Sequence, residues 1–399
     1  MALTDKNSLL ILGAGTSAPH GLPLGGDLIG LIATTISNEI KQIQNLHGFT
    51  EKQGDNFYSL NQSQHDLKEF NRSPLLSTVS HQIGEEEFCR GPKFDTKLLD
   101  LKELKNRLLN QTSETIDDFI ALNPSMSALT KLCLAVEFFK KMYSFDNRER
   151  RYSLRNFAER KSLKTEYFTN ASGALEGFRR RNWAHLLINV IRHGVGQKKV
   201  SSENKINIIS FNYDGILEQV LEEQFSNYEG GNSHWSELID IVHPHGLMKP
   251  MPSQPDKPWD VIIDWAGSIH VINEKHPSED IMGERMKARE MVYDSKQVYA
   301  CGFSFSGPNV RMLGLDKIGD PHFSKKIVAA NYDGNLGLKH QLQNLERDIT
   351  VGTSLQFDEL LGKDVKISRV TVEVISGTRS EPMPADVWFS IGSVGEMPG

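Results

Sequence analysis

The segment Ser8-Leu9-Leu10-Ile11-Leu12 is a short apolar run that stops at Gly13. A strand buried on both faces reads this way. Such strands belong to parallel sheets covered by helices. A glycine-rich turn follows, and Asp27-Leu28-Ile29-Gly30-Leu31-Ile32-Ala33 then has the look of a helix with Asp27 near its start. Four later segments have the same form. Ile206 to Phe211, Ile239 to Val242, Gln297 to Cys301 and Lys326 to Ala330 are short apolar runs, each closed by a polar or glycine cluster. The pattern predicts an α/β fold with an open, Rossmann-like, mostly parallel sheet, its site at the carboxyl ends of the strands.

Between the first two strands the chain changes character. Residues 31–200 are expected to form a large, mainly helical insertion. Lys97 to Leu109 carries leucines at helical spacing, Glu114 to Ile120 opens another helix, and Ser125 to Phe145 and Ala174 to Arg192 continue the pattern. Residues 42–93 are polar and lack a period, which suggests loops with short helices and a candidate lid. Val261-Ile262-Ile263 and Ile269-His270-Val271-Ile272 are candidates for further short strands. Lys366 to Ser376 alternates through Val370, Val372 and Val374, as a hairpin or an edge strand does. The expected division is a catalytic domain over 1–345 and a C-terminal extension over 346–399 for assembly or partner contact.

Composition narrows the function classes. The chain has 399 residues, 38% hydrophobic and 24% charged, which is ordinary for a globular protein. A net charge of −6 gives no global footprint for nucleic acid or an anionic membrane. Three distant cysteines, Cys89, Cys133 and Cys301, make no disulfide framework and no metal-binding pair, so reduced thiols in or near the core are expected. No apolar run reaches about 18 residues, and the N-terminus lacks the form of a signal peptide. A soluble cytoplasmic protein is expected.

Five segments carry candidate chemistry. In Gly13-Ala14-Gly15-Thr16-Ser17, continued by Gly21-Leu22-Pro23, a glycine turn lets backbone N–H groups approach a phosphate, and a following helix N-terminus adds partial positive charge. In Phe211-Asn212-Tyr213-Asp214-Gly215, Asn212 offers a donor and an acceptor to a water or a ribose hydroxyl. Asp214 can hold a ribose hydroxyl or simply cap the next helix. In His243-Pro244-His245-Gly246, a histidine at a strand end can exchange protons near neutral pH. Two histidines spaced by one residue also raise a metal, but a strand sends them to opposite faces, so none is expected. Gly302-Phe303-Ser304 and Asn331 lie at later strand ends, where an adenosine pocket can form.

Together and in this order, these segments resemble the sirtuin family. Gly13 to Ser17 with Gly21 and Pro23 is similar to its NAD loop. Ser210 to Gly215 is similar to its Thr-Gln-Asn-Ile-Asp-Gly, His245-Gly246 to its catalytic His-Gly, Gly302-Phe303-Ser304 to its Gly-Thr-Ser, and Asn331 to the asparagine after its next strand. The resemblance covers residues 8–30 and 205–335. Sirtuin deacylases carry Asp-Phe-Arg after the proline, where this chain has Leu24-Gly25-Gly26, and they hold a four-cysteine zinc ribbon that three cysteines cannot build. Those departures, with the long helical insertion, match the sirtuin-like NAD hydrolases of bacterial anti-phage defence.

The resemblance implies NAD as substrate and no metal. It gives Asn212 the task of orienting a water, His245 that of accepting a proton, and the first loop that of holding the pyrophosphate. Phe211, Asp214, Gly302, Ser304 and Asn331 would line the dinucleotide site. It further implies a regulated effector, restrained as a homo-oligomer or by a sensor or partner protein. The rivals are an NAD-dependent deacylase or ADP-ribosyl transferase, and a non-catalytic sensor of NAD or ADP-ribose.

Overall fold

A computed structural model describes residues 2–53, 70–84, 92–113, 115–146, 151–155, 183–225, 234–249, 257–274, 277–317, 326–331 and 371–376. The chain divides into two compact units. The first comprises Met1–Gly21, Asn156–Gly246 and Ile272–Gly399, and the second Leu22–Arg155 and Leu247–Val271. In chain order the helices are α1 (Gly25–Gln53), α2 (Pro74–Ile83), α3 (Pro92–Asn110), α4 (Ile116–Leu122), α5 (Ser127–Met142), α6 (Trp183–Gly196), α7 (Ile216–Phe225), α8 (Trp235–Leu238), α9 (Pro258–Ser268), α10 (Glu279–Asp294) and α11 (Gly307–Leu313). The strands are β1 (Ser8–Leu12), β2 (Tyr143–Asp146), β3 (Arg151–Leu154), β4 (Ile206–Ser210), β5 (Ile239–Val242), β6 (Gln297–Cys301), β7 (Lys326–Asn331) and β8 (Thr371–Ser376).

The first unit is the expected α/β fold. Its sheet runs β5-β4-β1-β6-β7-β8, and every pairing is parallel. From β1 the chain steps outward through β4 and β5, then returns to the other side of β1 for β6, β7 and β8. This is the doubly wound order, and the direction reverses between β1 and β6. All five residues of β1 are buried, as a run without alternation requires. Leu9 and Ile11 join Ile209, Val242, Val298, Ala300 and Ile327 in one apolar cluster, closed by Val292 of α10 and Leu313 of α11. The alternating C-terminal segment is an edge strand. It lies parallel to β7, so the hairpin alternative does not hold.

The second unit is helical with an aromatic centre. Helix α1 packs on α3 and α5, and α9 packs on α5 and α2. The Phe139 ring stacks on Tyr143 at 4.6 Å and meets Tyr152 and Phe70 edge-on at 5.3 and 5.7 Å. Glu39 is buried on α1, and one of its oxygens accepts the N–H groups of Leu75 and Leu76 at 2.9 and 3.1 Å. It thus caps the otherwise unpaired start of α2. Lys140 pairs with Glu39 at 3.2 Å and with Glu137 at 2.9 Å.

Several expectations need correction. Val261-Ile262-Ile263 is no strand but the middle of α9. Pro258 starts that helix, Asp260 sits in its first turn, and Val261, Ile262 and Trp265 form its buried face. A short apolar run does not by itself distinguish helix from strand, and here the i, i+4 partner Trp265 decides. Ile269 to Ile272 follows α9 outside any strand. The helix expected to reach Phe145 ends at Met142, because Tyr143 to Asp146 pairs antiparallel with Arg151 to Leu154. The polar stretch begins with the end of α1 and includes α2 and the start of α3. Residues 54–69 and 85–91 of that stretch lie outside the described residues, as does most of the 346–399 extension. Cys133 and Cys301 are buried free thiols, and Cys89 lies outside the described residues. No single helix among the described residues is long and apolar enough to cross a membrane.

Candidate functional site

The candidate site belongs to the first unit and is built from loops at the carboxyl ends of β1, β4, β5 and β6. After β1 the chain does not enter a helix. It folds into two 3-10 turns, Ala14–Thr16 and Ala18–His20. Their N–H groups are largely consumed locally. Thr16 and Ser17 donate to the carbonyls of Gly13 and Ala14, and His20 and Gly21 to those of Ser17 and Ala18. Gly13 and Gly15 donate across to the carbonyls of Cys301 and Gly302 at 3.0 and 3.2 Å. The α1 N-terminus comes only at Gly25, in the second unit. The expected cradle of free N–H groups backed by a helix dipole is therefore not the form this loop takes.

The glycines have a different reason to be glycine. Gly13 has φ −126°, which any residue adopts. A Cβ there would lie 2.4 Å from the Gly302 carbonyl oxygen, and one on Gly15 would lie 2.7 Å from the Gly302 Cα. Gly302 itself has φ +64°, and a Cβ on it would meet the Thr16 nitrogen at 2.6 Å. The loops after β1 and β6 touch backbone to backbone at the reversal of strand order, where open α/β sheets take ligands.

Side chains from these loops orient Asn212. Its Nδ2 donates to Thr16 Oγ1 at 3.0 Å and to Ser17 Oγ at 2.9 Å. Thr16 Oγ1 donates onward to the Gly13 carbonyl at 2.8 Å, and the Ser17 hydroxyl bonds to Asp214. Each hydroxyl has one proton, already engaged, so each can only accept from Asn212. That fixes the amide: both N–H groups point at the first loop and Oδ1 points away. Asn212 is 7% exposed, and Oδ1 has no hydrogen-bond partner among the described residues. A buried acceptor left in this state costs on the order of 1–3 kcal/mol, and a ligand hydroxyl or a water would recover it.

Asp214 has two tasks. Its Oδ1 accepts the Ile216 N–H at 3.2 Å and so caps α7, while its carboxyl also bonds to Ser17. Burial pushes its pKa up to about 6. The Ser17 and Ile216 bonds work against the rise, and the nearby Glu218 charge adds to it. His245 is buried, with its ring stacked on Tyr213 at 5.5 Å and against the edge of Phe211 at 5.1 Å. Phe211 in turn meets Phe303 at 4.7 Å. This aromatic chain ties the ends of β4, β5 and β6 together.

Gly13, Gly15, Thr16, Ser17, Phe211, Asn212, Asp214, His245 and Gly302 thus converge. The other candidates lie outside this buried cluster. Ala14 and Ser304 are exposed, Gly21 closes the second 3-10 turn at φ +81°, and Pro23 belongs to the second unit. Asn331 ends β7 and pairs in register with Ser376. Among the described residues no group of three or more His, Cys, Asp or Glu side chains could hold a metal ion.

Sequence reasoning missed Tyr213, Glu218 and Glu284. Glu218 had a signal, since it stands in the first turn of α7, just after the Asp214 that caps that helix. The His243 ring is bonded through Nε2 to Glu218 Oε1 at 2.8 Å. Burial disfavours its charged form. The Glu218 bond, with the charges of Glu218, Glu284 and Asp214, outweighs that and holds its pKa above the ordinary value. No protein-family model matches this chain, and no curated protein matches it.

Proposed function

We propose that this chain is an NAD glycohydrolase that cleaves the nicotinamide–ribose bond to give nicotinamide and ADP-ribose. The observation that carries this proposal is the locked amide of Asn212. Its free valence is an acceptor, which is what a nucleophilic water or a ribose hydroxyl needs to be held by its proton. When the bond between ribose C1′ and nicotinamide nitrogen breaks, its electron pair leaves with neutral nicotinamide, and the ribose takes on oxocarbenium character. A water oriented by Asn212 bonds to C1′ and releases a proton, which His245 accepts directly or through a ribose hydroxyl. Phe211 and the loops of Gly13 to Ser17 and Gly302 to Ser304 border the dinucleotide at the reversal of strand order. Asp214 holds a ribose hydroxyl and, through Ser17, keeps Asn212 in register.

Fit to this reading comes also from the order of the motifs, which resembles the sirtuin-like NAD hydrolases. On that resemblance the protein is a cytoplasmic effector of anti-phage defence, kept inactive by self-association or by a sensor partner until infection, and it needs no metal.

The test is incubation of the full chain with NAD alone, with and without the products of neighbouring genes. Free nicotinamide and ADP-ribose in equal amounts are expected. Asn212→Ala and His245→Ala should each lower kcat by about 1,000-fold while leaving the circular dichroism spectrum unchanged. Full turnover in both variants sinks the assignment. Cleavage that requires an acyl-lysine or protein acceptor would point to a deacylase or ADP-ribosyl transferase. Binding without turnover, with every partner present, would point to a sensor.

A further inference from the structure

The turn that carries His245 is gripped by three side chains to which NAD cleavage assigns no task. The turn spans His243-Pro244-His245-Gly246. Within it the Gly246 N–H donates to the His243 carbonyl at 2.9 Å, and Gly246 takes φ +82° to close the turn. Further anchors come from two helices. Glu284 of α10 accepts the His243 backbone N–H at 2.7 Å. Arg285, the next residue, donates from Nε to the Pro244 carbonyl at 3.1 Å. Glu218 of α7 takes the His243 ring at 2.8 Å, with the two side chains only 16% and 11% exposed.

We propose that Glu218 is a positioning residue. Through His243, and together with Glu284 and Arg285 on the backbone, it locks the 243–246 turn and so fixes the His245 ring against Tyr213. The consequence for turnover rests on His245 being the proton acceptor in NAD cleavage. The consequence for the ring's position does not.

The chemistry of the bond suits this task. Accepting at Nε2 selects the neutral tautomer that carries its proton there, and that N–H survives in the imidazolium. The contact therefore persists whichever form His243 is in, and it serves as a mechanical anchor over a wide pH range. The groups facing the ring and its turn are Asp214 and Glu218 at the start of α7 and Glu284 and Arg285 on α10. Glu218 also lies one helical turn from the Asp214 cap, so one helix start sets both Asn212, through Ser17, and His245, through His243.

The experiment uses the full chain and the variants Glu218→Leu and Glu218→Gln, with two independent readouts. The first is NAD turnover. The Leu variant should lose about 100-fold in kcat with KM little changed, as expected when a reacting group is displaced by about 1 Å. The Gln variant keeps a carbonyl oxygen for the same N–H and should regain most of that loss. The second readout is NMR of isotope-labelled histidines. Ring protons of His245, shielded by the Tyr213 face, should move toward free-histidine values in the Leu variant and stay in place in the Gln variant, while His243 titrates at lower pH in both. If Glu218→Leu does not fold, Glu218→Asp, which draws the carboxylate back by one methylene, is read in the same way. Unchanged His245 resonances in the Leu or Asp variant overturn the proposal. If the wild type consumes no NAD, the functional assignment fails, and the His245 resonances still decide whether Glu218 positions the ring.

Discussion

Each unit of this chain buries a carboxyl group, and the two are treated in opposite ways. Burial raises the pKa of both, and is the largest cause in each case. Glu39, in the helical unit, is given what a buried carboxylate needs: two backbone N–H groups at the start of α2 and the ammonium of Lys140. Asp214, in the sheet unit, is held by the Ser17 hydroxyl and by the backbone N–H groups of Ile216 and of Asp214 itself, and the charge that acts on it is that of Glu218, of the same sign. Glu39 thus has a counter-charge beside it, and Asp214 a like charge. The contrast separates a carboxyl used for architecture from one held ready near neutral pH, and perturbed groups of the second kind gather at functional sites.

The same division runs through the rest of the two units. The helical unit fills its centre with Phe70, Phe139, Tyr143 and Tyr152, whose rings satisfy one another by packing. The sheet unit ends its strands in Asn212, Asp214, His243 and His245, all buried and polar. If that division is real, Phe139→Ala should cost about 3–5 kcal/mol of stability, measured by urea unfolding, while kcat per folded molecule is unchanged. A proportionate fall in kcat of the folded fraction would break the comparison.

Asp214→Asn should act next most strongly, and only with pH. The folded carboxyl holds its proton to about 6 against an ordinary 3.8. Between those values the folded state binds more protons than the unfolded one, so wild-type stability falls as pH rises through that window and stays lower above it. Asparagine does not titrate. The variant should therefore gain on the wild type by up to about 3 kcal/mol between pH 4 and 7, from roughly two pH units at about 1.4 kcal/mol each. A pH-independent difference between the two proteins would show that burial leaves the Asp214 carboxyl at its ordinary pKa.

The smallest effect is expected at Glu39 itself. Glu39→Gln keeps an oxygen for the α2 N–H groups and loses the charge beside Lys140, a side chain that is 31% exposed. Loss of the Lys140 pairing is opposed by relief of the burial cost that raises the Glu39 pKa, so a net change under about 1 kcal/mol is expected. NAD turnover by the folded variant should not move.

Much of the sheet was legible in the sequence because its strands are short apolar runs closed by polar clusters. β1, β4, β5, β6 and β7 all have that form, and their order in chain and sheet places Asn212 and His245 at one edge. Helix α9 was not legible, since Val261 to Ile263 carries no period of its own and Trp265 decides the matter. Nor was the reason for the glycines. Gly13 and Gly15 follow a strand as phosphate-binding glycines do, yet their neighbour is Gly302, almost 290 positions away in the sequence. The orientation of the Asn212 amide depends on hydroxyls some 195 positions distant. No local pattern encodes such a contact. The Glu218–His243 pair, 25 positions apart, was hidden for the same reason.

The backbone contact among Gly13, Gly15 and Gly302 has a bearing on how variants of this protein should be interpreted. Alanine at any of the three drives a methyl group into main chain of the opposing loop, at 2.4 to 2.7 Å. Loss of NAD cleavage after such a change would therefore report a dislocated loop, and would be no evidence of a severed phosphate contact. In a random library selected for folding, all three positions should therefore remain glycine, since no change in the opposing residue removes the main-chain atoms a Cβ would meet.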